Sequence, residues 1–268
     1  MRLSIVQTES VKYSITDAMD LKHYFEIRRC WLLMKMELYK SRKGLVMSLL
    51  IILGFLFIVG LLLAPLMDPA LVVYEHLSGY AYTLLTGGFI LSSLAYRDLG
   101  SSLRRYNYLM LPVSTLEKFL SMWLLTSVGW ILLYTLIYTI YTLFANAIGQ
   151  LLFSQLTFVP FEPLGGDTFS IMAYYFVLQG IFLAGAAHFR GFAFPKTLLT
   201  LVIIGAVGGI IMYFILKGYF DFDMGEAADL FTGMPSGRIW EILQWLFWWV
   251  LAPLCWLLTY LGLKEREV

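Results

Sequence analysis

LVMSLLIILGFLFIVGLLLA, Leu45 to Ala64, is twenty consecutive residues without a charge, and its reading decides the fold. About 20 apolar residues are what an α-helix needs to cross the hydrocarbon core of a bilayer. Only a helix satisfies its own backbone there within one segment. Pro65 ends the run. The same pattern recurs down the chain. Further spans are predicted over Leu77–Tyr96, Phe119–Ala145, Ser170–His188, Thr197–Leu216 and Trp240–Leu263. The last opens on a tryptophan belt, Trp240, Trp245, Trp248 and Trp249, of the kind that sits at membrane interfaces.

Composition agrees. Of 268 residues, 60% are hydrophobic and 14% charged, with a mean hydropathy of +0.76, whereas water-soluble domains run near a quarter charged. The expected fold is therefore all-α: a polytopic bundle of six transmembrane helices. Its parts are a tail and interfacial helix over 1–44, the transmembrane domain over 45–263 and a short tail over 264–268. Cys30 and Cys255, the two cysteines, lie too far from any ligand-like spacing to suggest a disulfide framework or a cysteine metal site. The first 43 residues lack the layout of a secretory signal peptide, and residues 1–27 show no clear amphipathic period.

Charge gives orientation. Placed by these spans, 17 of the 19 Lys and Arg fall on the side of the termini, and Lys217 and Arg238 on the other. The positive-inside rule makes the first side cytoplasmic. Arg28 to Lys43, RRCWLLMKMELYKSRK, sets Trp31, Leu32, Met34, Leu38 and Tyr39 at roughly helical spacing among Arg28, Arg29, Lys35, Lys40, Arg42 and Lys43. A basic amphipathic helix of this type lies in the headgroup region, and a plain juxtamembrane basic cluster is the alternative.

Sites of chemistry are sparse. No charged residue falls near the centre of a predicted span, which argues against a proton- or sodium-coupled carrier. Gln179 is the most central strongly polar side chain. It reads as an interhelical hydrogen bond, with a place on a translocation path as the second reading. The histidines His23, His76 and His188 are scattered, and neither a zinc-protease motif nor a paired carboxylate occurs within a span, so catalytic residues, a metal and an enzymatic activity are not expected. Gly205 with Gly209, Gly87 with Gly88, and Ala184–Gly185 allow close helix packing, within one subunit or across a dimer seam. The acidic group Asp221, Asp223, Glu226 and Asp229 fits no EF-hand spacing and reads as a solvated face.

The longest polar interruption on the basic side is RDLGSSLRRYNYLMLPVSTLEK, Arg97–Lys118, which mixes charge with apolar anchors. With the run LMLPVSTLEKFL entering the third span, it resembles the corresponding loop of the ABC-2 type permeases, the membrane subunits of a class of ABC exporters. GAAHFRGFAFPKTLL is similar to a second cytoplasmic turn of that group. The resemblance implies a subunit of an ATP-driven exporter in the bacterial inner membrane, working by alternating access. ATP and Mg would be held by a separate cytoplasmic ATPase, and no P-loop motif occurs in this chain. It implies a coupling helix within Asp98–Leu109, with Arg104 and Arg105 contacting the ATPase and Leu103, Tyr106 and Tyr108 as anchors. Arg190 and Lys196 would form a second contact, the helix at Arg28–Lys43 a gating elbow, and a second permease subunit, identical or not, the other half of the conduit. Binding of the two arginines to anionic lipid is the competing reading of that loop. A secondary transporter or channel, and a membrane assembly protein that moves nothing, are the rival functions. Nucleic acid is not an expected partner.

Overall fold

The computed structural model describes residues 25–63, 73–74, 76–100, 102–152, 157–220 and 244–267. The acidic group Asp221–Asp229, Trp240, His23 and the rest of the first 24 residues lie outside them, as does the side chain of Leu103. Six long helices are described. The first, α1, covers Ile27–Leu63, and α2 Leu77–Leu94. A short helix α3, Ser102–Leu109, follows a 3-10 turn over Arg97–Gly100. Then α4, Thr115–Leu124, runs through a π turn, Leu125–Gly129, into α5, Trp130–Leu152. Next come α6, Gly166–His188, and α7, Ala193–Phe220. Last, a π turn over Phe247–Leu251 leads into α8, Ala252–Glu267. Two-residue strands, β1 (Val73–Tyr74) and β2 (Thr157–Phe158), pair in parallel.

Five of these helical stretches are long and apolar enough to cross a membrane: Ile27–Gly60, Thr115–Leu152, Gly166–His188, Ala193–Phe214 and Gln244–Arg266. The chain is a multi-pass helical membrane protein. The remaining helix, α2, has 18 residues, and its apolar run is broken by Ser78, Gly79, Thr83, Thr86, Gly87 and Gly88.

Around α6 the bundle is organised, with α2, α7 and α8 packed against it. Small residues allow the approach. At Gly88 a Cβ would overlap the ring of Tyr175, and at Gly185 it would overlap the side chain of Thr197. Gly205, Gly208 and Gly209 on α7 have nothing near them, so the Gly205–Gly209 pair does not pack within the described chain. The outer helices α1 and α7 leave most of their apolar side chains exposed, as lipid-facing helices do.

One expectation about α1 is corrected. A separate interfacial helix over Arg28–Lys43 would need a bend near Gly44, yet α1 runs unbroken for 37 residues. The reason is a single docking stripe. Cys30, Leu33 and Leu49 are buried, and Met34, Glu37, Ser41 and Leu45 are half-buried, a helical spacing that continues straight through Gly44. Trp31, Leu32, Leu38 and Tyr39 face away. At 1.5 Å per residue α1 spans roughly 55 Å against a hydrocarbon core of about 30 Å, so its basic part stands outside the core.

Candidate functional site

The helices meet in two polar layers, one at each end. The far layer is small. His76 donates from Nε2 to Oδ1 of Asn146 at 2.6 Å, and its carbonyl accepts from the Tyr138 hydroxyl at 2.9 Å. Burial lowers the imidazole's proton affinity below its ordinary value, with the Asn146 hydrogen bond opposing. Below it a column of buried tyrosines, Tyr80, Tyr134, Tyr138 and Tyr175, fills the interior. Each hydroxyl finds a partner, as a buried phenol must: Tyr80 with Thr135, Tyr134 with Thr83, Tyr138 with the His76 carbonyl, and Tyr175 with the Thr126 carbonyl at 2.5 Å. That last carbonyl belongs to the π turn, where the i→i−4 pattern is interrupted; the bond from α6 satisfies it. Gln179 lies beside this column, fully buried between α2 and α6, its Oε1 accepting from Ser92 Oγ at 3.5 Å.

At the basic end the chemistry is denser. Ser114 caps α4, its Oγ accepting from the Glu117 amide at 3.2 Å while Glu117 Oε2 accepts from the Ser114 amide at 2.8 Å, the reciprocal capping box. Glu117 does more than cap. Fully buried, it takes the amide of Glu26 on Oε1 at 2.7 Å and lies 3.3 Å from Arg29 Nε. One carboxylate thus ties the start of α4 to the start of α1. A second tie lies farther along α1, where Lys40 pairs with Asp98, which Arg104 also approaches at 3.8 Å. Lys118, buried next to Glu117, points its ammonium over the Tyr108 ring at 5.6 Å.

Beneath these ties sits an apolar cluster of Tyr96, Leu99, Tyr108, Met122, Leu183, Ala186, Ala187 and Leu263. It fixes α3 against α6 and α8. The α6–α7 turn reaches the same place through Gly191 and Phe192, both in the left-handed region with φ of 65° and 49°. Glycine accepts that conformation freely, while Phe192 holds it at a cost. Lys196 donates to the Arg190 carbonyl at 2.9 Å and Arg266 to the His188 carbonyl at 2.7 Å.

The structure brings together most of the residues expected at this end: Asp98, Arg104, Arg105, Tyr108 and Arg190, with Lys40 and Arg29 from α1. It divides the anchors of α3, however. Tyr108 is buried, whereas Tyr106 is 61% exposed and no anchor, because two residues on a helix point about 200° apart. Leu99 takes the anchoring place instead. Arg29 and Lys40, expected at lipid headgroups, are engaged by Glu117 and Asp98, while Arg28, Trp31, Lys35, Arg42 and Lys43 stay exposed, Arg42 lying over the Tyr39 ring at 3.9 Å. The capping spacing Ser114-x-x-Glu117 marked Glu117 in the sequence, but only the fold shows its grip on α1. Among the described residues no three His, Cys, Asp or Glu side chains converge as metal ligands.

Fold and site together define a helical multi-pass membrane protein with a charged clamp at one end of its bundle. No protein-family model, no curated protein and no solved structure matches the chain.

Proposed function

We propose that the chain is the permease subunit of an ATP-driven ABC exporter of the ABC-2 type, moved by a separate cytoplasmic ATPase and paired with a second permease. In this reading the clamp end is cytoplasmic, as the excess of Lys and Arg requires, and α2 is the sixth crossing. The alternation of ends supports that sixth crossing: His76 at the start of α2 meets Asn146 near the end of α5, while Asp98 just after α2 meets Lys40 on α1.

The observation that carries the proposal is the lever made by α3. Tyr106 and Met110 are exposed on its outer side, opposite Tyr108, and Arg104, beside Asp98, is exposed as well, while Tyr108 and Leu99 root the lever in the apolar cluster. Asp98 and Glu117, at either end of the loop, grip α1. A push on the outer side of α3 would therefore be delivered to α1 and α4 through charge-assisted contacts, with nothing hydrolysed in this chain. The test is co-purification with a soluble ATPase encoded beside it. Arg104→Glu combined with Tyr106→Ala is expected to abolish the association and leave membrane insertion intact. Undiminished association would overturn the role of α3, and solute movement by the reconstituted chain alone would overturn the exporter reading.

A further inference from the structure

Three arginines from three separate elements meet at the clamp end, and among the described residues none of them has an acidic partner. Arg105 is on α3, Arg190 in the α6–α7 turn and Arg266 in the last turn of α8. The elements that carry them are fixed by the apolar cluster, which joins Tyr108, Leu183, Ala187 and Leu263. The backbone of the 3-10 turn also lies on the α6–α7 turn, a Cβ at Gly100 standing 3.4 Å from the Gly191 nitrogen. Arg266 spends Nη2 on the His188 carbonyl, but its Nη1 is buried and among the described residues has no hydrogen-bond partner. Arg190 and Arg105 both lie close enough to repel it. Asp98, Glu26 and Glu117 are committed to Lys40, Arg104 and Arg29, and among the described residues no carboxylate pairs with any of the three arginines. Glu265, the neighbour on α8, is exposed.

Like charges held together, one with a desolvated donor left over, are unfavourable unless an anion joins them. We infer that Arg105, Arg190 and Arg266 form an anion site that takes a phosphate group. Guanidinium forks match phosphate oxygens in pairs, and the site lies where α6 and α8 end and α7 begins, at the depth of lipid headgroups. The phosphate is therefore that of an anionic phospholipid or a free phosphate from solution.

Binding to the full-length, delipidated protein in a neutral detergent separates these sources. The probes are short-chain phosphatidylglycerol, inorganic phosphate and a diacylglycerol of equal chain length, read by native mass spectrometry and thermal shift. Saturable binding of phosphatidylglycerol but not of phosphate or diacylglycerol supports a headgroup site. Equal binding of inorganic phosphate supports a soluble anion. Arg105→Gln and Arg190→Gln, which spare the Arg266 cap on α6, are each expected to weaken binding roughly tenfold, the worth of one charge-assisted contact, without loss of the folded protein. Failure of both anions to saturate overturns the site, as does binding unchanged in the two variants. If the arginines matter only for holding an acidic partner protein while neither probe binds, the site is equally overturned.

Discussion

A buried carboxylate with three donors around it is the residue on which the clamp turns. Glu117 receives two backbone amides and the Arg29 guanidinium, so its charge is compensated although no water reaches it. Removing it takes the acceptor from two backbone amides and one of the two carboxylates from Arg29, whose ion pair with Glu26 remains. Breaking a buried ion pair from one side costs about 3–5 kcal/mol, and Glu117→Ala is expected near that range by chemical or thermal unfolding in detergent. Glu117→Gln keeps one acceptor oxygen and should lose about 1–3 kcal/mol. Equal losses for the two would mean that packing, and not charge, holds α1 to α4. At the other end His76 makes stability depend on pH. Its folded affinity for a proton lies below the ordinary 6.5, so the unfolded chain takes up the proton first as pH falls. The contribution is therefore complete above about pH 6.5 and declines below it, through the lowered folded value. Denaturation midpoints at several pH values should show that decline, and His76→Gln should flatten it.

Among elements, glycine separates packed seams from open faces. Gly88 on α2 meets the ring of Tyr175, whose hydroxyl is bound to the Thr126 carbonyl. Gly88→Ala must displace that ring and is expected to destabilise by about 1–3 kcal/mol, the usual result of overpacking. Gly209 on α7 has open space around it, and Gly209→Ala should be neutral or stabilise by up to about 1 kcal/mol, from helix propensity alone. Equal losses would place α7 against a neighbour, such as a second copy of the chain. Both glycines read alike in the sequence, as small residues in apolar runs, because a motif of small residues does not say which helix lies opposite. The continuity of α1 was hidden for a similar reason. Trp31 and Leu38 form the more hydrophobic face, and Gly44 with its flanking charges suggests a boundary. The stripe that actually docks, Cys30, Leu33, Glu37 and Ser41, is mixed in polarity and recognisable only when α4 is beside it.

For the whole molecule, what was legible follows from the medium. A bilayer forces apolar runs of fixed length, so α1, α4–α5, α6, α7 and α8 stand out of the sequence, whereas the polar contacts that choose neighbours, Glu117 with Arg29 and Asp98 with Lys40, join residues far apart in the chain and leave no local pattern. Among the described long helices α2 falls short of a crossing by composition, and parity decides its place. Ile27, Met110, Leu164 and Phe192 are all strongly exposed. A single cysteine placed at each, with Cys30 and Cys255 changed to serine, reports its side by reaction with a membrane-impermeant maleimide in intact and opened cells. Because α1 crosses once, Ile27→Cys and Met110→Cys can share a side only if α2 crosses back. The expected pattern is that Ile27→Cys, Met110→Cys and Phe192→Cys react only after opening, and Leu164→Cys reacts in intact cells. Labelling of Met110→Cys from outside, with Ile27→Cys protected, would leave α2 on one side of the membrane, separate α3 from any cytoplasmic motor and remove the mechanical basis of the proposed coupling.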